Sequence, residues 1–178
     1  MAVQRFLWSG AGLIVAGLAG VIGFAEFKTW QLQHAPQQAV FLAGVIPSQR
    51  PEGFYAGSVP GLQGSPWQGK RFDAPHSAGV NIFQSKGIAT AQYPFRTSVA
   101  PGELDPQRQV FRIDYNNPQN PWWVRLFLDE VVEVKPNLWL GKLSLQIIPG
   151  HPFGLLFFEL KKDSFRYVKL PIYQVPGP

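Results

Sequence analysis

Around Pro136-Asn137 the chain alternates. Val132 and Val134 flank Glu133, with Lys135 next; beyond the turn pair, Leu143, Leu145 and Ile147 alternate with Lys142, Ser144 and Gln146. A period of two sends successive side chains to opposite faces, so residues 131–147 predict a β-hairpin with one apolar face. A second hairpin is predicted from Phe153–Lys161 and Phe165–Tyr173, turning at Lys162-Asp163-Ser164. Upstream, Trp67–Phe72, Gly79–Phe83, Gly87–Phe95 and Gln109–Tyr115 have the length and flanking turn residues of further strands. Strands at intervals near ten residues, punctuated by 18 Gly and 17 Pro, predict a mainly β chain closing into an antiparallel barrel or sandwich. The inward positions expected are Val132, Val134, Leu143, Leu145 and one face of 155–160. No repeat of twenty to fifty residues argues for a propeller or solenoid.

One stretch departs from this pattern. In NNPQNPWWVRLFLDE, residues 116–130, an Asn/Pro loop leads into a predicted short helix, because Trp122/Leu126 and Trp123/Phe127 are spaced to share helix faces. Such a helix either plugs an open barrel end or packs outside it.

The first thirty residues set the location. Phe6–Ala25 is a charge-free run of twenty residues, about 30 Å as a helix, the thickness of a hydrocarbon core. Trp8 and Trp30 stand near its ends. A retained anchor is expected; a cleaved signal peptide, with Gly23 and Ala25 before the cut, is the alternative. Gly12, Ala16 and Gly20 recur on one face and would admit a membrane-protein partner, although small residues are common in membrane helices. Arg5 and the amino terminus against Lys28 favour the domain outside the cytoplasm. The organisation expected is an anchor at 1–28, a polar stalk and lead-in at 29–50, and a barrel at 51–178.

The string WQGKRF, with GVNIF, YPFRTS, NNPQNPWWVRLFLDE and FGLLFFELKK, resembles the GXWXGK-type, calycin-like domains, and among them bacterial proteins with one N-terminal transmembrane helix. The likeness covers roughly residues 50–165. Trp67, Gly69 and Lys70 match the motif, as does Gly64, but Ser65-Pro66 alter its spacing. The resemblance implies a calycin-like barrel, a bacterial inner-membrane location with the C-terminal domain in the periplasm, and a Trp that closes one barrel end with a basic residue across it. Trp67 with Lys70 or Arg71 would fill those parts, with or without a ligand.

Reaction chemistry is not visible. The chain has no Cys, and His34, His76 and His151 are too scattered for a metal site. Asp73 and His76 share a loop without a nucleophile, Asp129-Glu130 should point to opposite strand faces, and no phosphate-binding loop or nucleophile elbow occurs. We expect no enzyme, no cofactor and no metal. The net charge of +5 is spread thinly, unlike the concentrated stripe of a nucleic-acid binder.

Aromatic residues make up 14% of the chain, enough to line an apolar cavity. The expected function is therefore binding or transfer of a lipid-like or other apolar ligand beside the bilayer. The candidate site is Trp67, Lys70, Tyr93, Arg96, Tyr115, Trp122 and Arg125. The two arginines lie in aromatic surroundings, where they either meet a charged headgroup or stack on surface rings. The alternative is a non-enzymatic accessory subunit of a membrane complex, with a solid barrel.

Overall fold

The computed structural model describes residues 19–163. Residues 19–33 are helical (α1), and α2 follows at Pro36–Ala43. Eight strands come next: β1 Gly53–Ser58, β2 Trp67–Asp73, β3 Ala78–Ser85, β4 Ile88–Pro101, β5 Gln109–Asp114, β6 Phe127–Lys135, β7 Leu138–Ile148 and β8 His151–Lys162. Each pairs antiparallel with the next, and β8 returns to β1 through Tyr55–Lys162 and Ser58–Glu159, closing the barrel. Closure leaves none of the eight described strands at the edge of an open sheet.

The β6–β7 hairpin forms as the alternation predicts, with Asn137 at φ 63° in its turn. The strands expected upstream are β2 to β5; β1 is an addition. The second arm of the predicted last hairpin lies outside the described residues; β8 itself pairs with β7 and with β1. Residues 116–130 do not make the expected helix. A single 3-10 turn at Val124–Leu126 is followed at once by β6. Its β-branched run and pairing to both β5 and β7 outweigh the helical spacing of the aromatics.

Two apolar clusters sit on opposite faces of the wall. Inside, Tyr55, Phe72, Phe95, Phe111 and Trp139 interlock, with ring centroids 4.6–6.3 Å apart, and fill the barrel towards one pole. Outside, Leu32 of α1 and Phe41 of α2 cover Val110, Val132, Leu140 and Phe157. This corrects the expected inward set. Val132 and Val134 face outwards beneath the helices, whereas Asp129 and Val131 face in. Leu143 and, from the β8 face, Leu156, Phe158 and Leu160 do point inwards; Leu145 is absent from the interior cluster and from the cavity wall.

The expected stalk is folded onto this outer wall. Gln38 is buried, donating at 2.8 Å to both Gln33 and Asp105, and it accepts from Lys142 Nζ at 3.2 Å. Lys142 Nζ stands 4.1 Å from the centroid of the Phe41 ring and is paired with Asp105. A buried cation is thus matched by a carboxylate, an amide and an aromatic face.

Candidate functional site

The site begins with a register error that the sequence builds in. In a regular strand Trp67 and Lys70 would face opposite ways. Between β2 and β3, however, Trp67 pairs with Phe83 and Gly69 with Ile82, so Gln68 is an extra residue. This β-bulge shifts the alternation by one. Trp67, Lys70 and Phe72 all turn into the barrel. Gly69 makes it possible: its φ is +132°, and a Cβ there would run into the Tyr55 carbonyl oxygen. A second bulge does the same opposite. Tyr93, at φ 56°, is skipped between the pairs Val80–Pro94 and Asn81–Gln92. Its ring meets Phe83 and Trp123 edge-on, at centroid distances of 5.6 and 6.0 Å.

Lys70 is 2% exposed, at mid-height in the interior. Its Nζ lies 2.8 Å from Asp129 Oδ2 and 2.9 Å from Asn81 Oδ1, and also donates to Tyr115 Oη. Three acceptors meet the three N–H groups of an ammonium. Tyr115 Oη donates to Asp129 Oδ2 at 2.7 Å, while Asn81 accepts from Trp67 Nε1 at 3.0 Å and donates to the Tyr93 carbonyl at 3.3 Å. The rings of Trp67, Phe95, Tyr115 and Phe158 surround Nζ at 5.1–5.4 Å. Burial pulls the Lys70 ammonium below its ordinary value, with Asp129 pulling the other way. Burial and then the Asp129 charge hold the Tyr115 hydroxyl well above its ordinary value, so it stays a donor.

Above this network the barrel is open. A cavity of about 270 Å³ is walled by Val59, Phe83, Trp123, Phe127, Leu143 and Leu156, among others, and floored by Lys70, Asn81, Tyr115 and Asp129. It sits at the pole to which β2 delivers Trp67. Gly57 lets the Trp67 ring lie flat against β1; a Cβ there would come within 2.5 Å of the indole. Trp67 is only half-buried because one side faces the cavity, and it packs edge-on to Phe158 at 5.7 Å. Trp67→Ala should therefore destabilise by about 2–3 kcal/mol, below the range for a fully enclosed Trp; urea unfolding followed by near-UV circular dichroism measures it.

Of the expected site residues, Trp67, Lys70, Tyr93 and Tyr115 meet in this cavity. Arg96, Trp122 and Arg125 do not line it. Arg96 is exposed, Trp122 is 74% exposed, and Arg125 is exposed with its Nε donating to Asn116 at 3.2 Å. Asn81, Asp129, Phe158 and Trp123 belong to the site as well. A polar residue inside the apolar run GVNIF marked Asn81, and strand parity placed Asp129 opposite Glu130. Asp73 at the end of β2 and His76 on the β2–β3 loop form an exposed pair at 2.8 Å, absent from the lining. Among the described residues no group of three His, Asp or Glu could hold a metal. Gly12 and Ala16 lie outside the described residues, and nothing lies within 4 Å of where Gly20 would carry a Cβ.

The filled pole has its own titration. Burial, with Glu133 and Glu52 adding to it, pushes the Tyr55 hydroxyl from 10.0 up to about 12. The folded state then holds a proton that the unfolded chain releases above pH 10, so stability falls as pH rises from 10 to about 12. Tyr55→Phe should flatten that loss, which urea unfolding at pH 9 and pH 11 would reveal.

Comparisons with protein-family models, curated proteins and solved structures return no match for the chain.

Proposed function

We propose that the chain is a membrane-anchored, calycin-like barrel, kin to the GXWXGK-type domains. On this reading it takes part of a lipid-like or other apolar ligand into its open pole at the bacterial inner membrane, on the periplasmic side. Phe6–Ala25 is the anchor. Most of that run lies outside the described residues; among the described residues no helix is long and apolar enough to cross a membrane.

The observation that carries the reading is the half-filled interior. Five large aromatic side chains pack one pole solid, while the other keeps about 270 Å³ of space with mostly apolar walls. Protein interiors are normally close-packed, and unfilled apolar volume is costly, so a barrel serving only as a scaffold has no use for it. The size is at the lower end for ligand sites, which suits one acyl segment or a small ring system. The floor refines the ligand's chemistry. Lys70 is already matched by Asp129, so an anionic headgroup would displace a buried carboxylate from its cation. A ligand with an uncharged hydrogen-bonding end fits better.

The test uses the full chain extracted in a styrene–maleic acid polymer, because detergent would compete for an apolar cavity. Mass spectrometry of the extracted small molecules should show one amphiphile enriched over bulk lipid. Leu156→Trp, which fills the cavity from β8, should reduce it about tenfold, a 1.4 kcal/mol effect. No enriched molecule, or equal amounts in both proteins, would sink the proposal and leave the accessory-subunit reading in its place.

A further inference from the structure

The barrel's two poles differ. Four connections meet at the open pole: β1–β2, β3–β4, β5–β6 and β7–β8. These connections and the strand ends beside them carry large apolar side chains in water: Leu62, Ile88 at the start of β4, Trp122 with Trp123, and Ile147 with Ile148 at the end of β7, exposed by 39–74%. None of the connections at the filled pole, residues 74–77, 102–108 and 136–137, carries an exposed large apolar side chain. Outside α1, the remaining ones among the described residues are Val40 and Leu42 on α2, and two that stand towards the filled pole: Val45, which bridges to Glu133 near the end of β6, and Val99, two residues from the end of β4. Charge divides the same way. The open-pole connections hold Lys86 and Arg125 and no carboxylate, whereas residues 102–108 hold Glu103 and Asp105 with Arg108.

The helix α1 leaves from the open pole. Thr29 Oγ1 accepts from the Gly154 amide at 2.9 Å, and three residues earlier Glu26 Oε1 meets His151 Nε2 at 2.5 Å. From Thr29 to Glu26, α1 thus climbs β8 towards the tip at Pro149-Gly150. At a rise of about 1.5 Å per residue, residues 19–25 reach about 10 Å further. They expose Val21, Ile22 and Phe24 and continue the charge-free run that starts at Phe6.

We infer that this rim is a bilayer-docking surface: the open pole rests on the membrane interface, with Leu62, Ile88, Trp122 and Ile147 among the headgroups. The inference rests on Phe6–Ala25 being a membrane anchor, which fixes the side from which the bilayer approaches. Trp at the interface, aliphatic loop tips and unopposed cations are what an anionic lipid surface attracts. The cavity then opens directly onto lipid, and a ligand passes between bilayer and barrel without crossing water.

The chain has no cysteine, so single-Cys variants report one position each. Leu62→Cys, Ile88→Cys and Ile147→Cys, with Lys135→Cys at the filled pole as the control, are labelled with an environment-sensitive fluorophore. Each full chain is reconstituted into phosphatidylcholine vesicles containing phosphatidylglycerol. A quencher carried near the lipid headgroups should reduce emission at the three rim positions about twofold or more and leave position 135 unchanged, as for groups held about 5–10 Å into the interface. Alkaline extraction of the same vesicles reports the anchor separately. If the chain resists extraction but the rim labels behave like position 135, docking is refuted and the anchor stands. If the rim labels leave water without being quenched, a protein surface covers the rim and docking is refuted. If the chain is extracted, the anchor fails and the inference falls with it.

Discussion

Lys70→Met is expected to destabilise the barrel by about 3–5 kcal/mol, and adding Asp129→Leu should recover most of that loss. The reason lies in what each substitution leaves behind. Lys70 and Asp129 have side chains only 3% and 4% exposed, so removing the ammonium strands a carboxylate in an apolar interior. Tyr115 Oη, which donates to that carboxylate, does not neutralise it. Removing both charges leaves Asn81 and Tyr115 able to satisfy each other through the existing 3.1 Å bond. A buried pair replaced by apolar groups of similar volume often costs nothing. For a domain of this size the single variant should lower Tm by about 10 °C or more, read by near-UV circular dichroism. A double variant as unstable as the single one would show that Lys70 acts through its packing against four rings instead of through its charge.

That pair shows how far the sequence could be read. The strands were legible because alternation and turn residues agree: the Pro136-Asn137 turn, and the four runs that become β2 to β5, lie where the pattern puts them. The orientation of the strands was not. Alternation says that two faces differ, not which one is inside. On β6 the outward face is apolar because α1, α2 and residues 102–108 cover it, while the inward face carries Asp129. Helices laid over the outside of a barrel therefore invert the usual inference for Val132 and Val134. In the same way, helical spacing in WWVRLF was overridden by pairing on both sides of β6, which no local pattern reports.

The site was half legible. Trp67, Tyr93 and Tyr115 combine aromatic surface with a polar tip, Lys70 follows in the same motif, and all four reach the cavity. Arg96 and Arg125 shared that aromatic setting in sequence but project outwards, since parity along β4 and the 3-10 turn sets their direction. Two bulges, at Gln68 and Tyr93, decide which side chains enter. A bulge leaves little trace in sequence beyond a Gly. Trp122, exposed and outside the cavity, gains a role only once the loops are placed around one pole.

Gly69→Ala should cost about 3–5 kcal/mol, the sum of a strained positive φ and a steric conflict with backbone. Cβ would collide with the Tyr55 carbonyl oxygen and lie 2.6 Å from the Gly57 nitrogen, and neither is the movable end of a side chain. The conflict arises from the bulge and not from the spacing of β1 and β2, which gives a rescue. Deleting Gln68 removes the extra residue, and the run Trp67-Gly69-Lys70 then alternates in, out, in without a bulge. In that background Gly69 returns to ordinary strand geometry with its side-chain direction outwards, where alanine is tolerated. The expected order of stability is therefore wild type and the Gln68 deletion close together, the deletion with Gly69→Ala within about 1 kcal/mol of them, and Gly69→Ala alone far below. Thermal melts of the four full-length proteins decide it. A Gly69→Ala loss under about 1 kcal/mol would mean that the bulge bends freely. An unrescued double variant would mean that close approach of β1, not the bulge, demands glycine, and the spacing of Trp67 and Lys70 would need another cause.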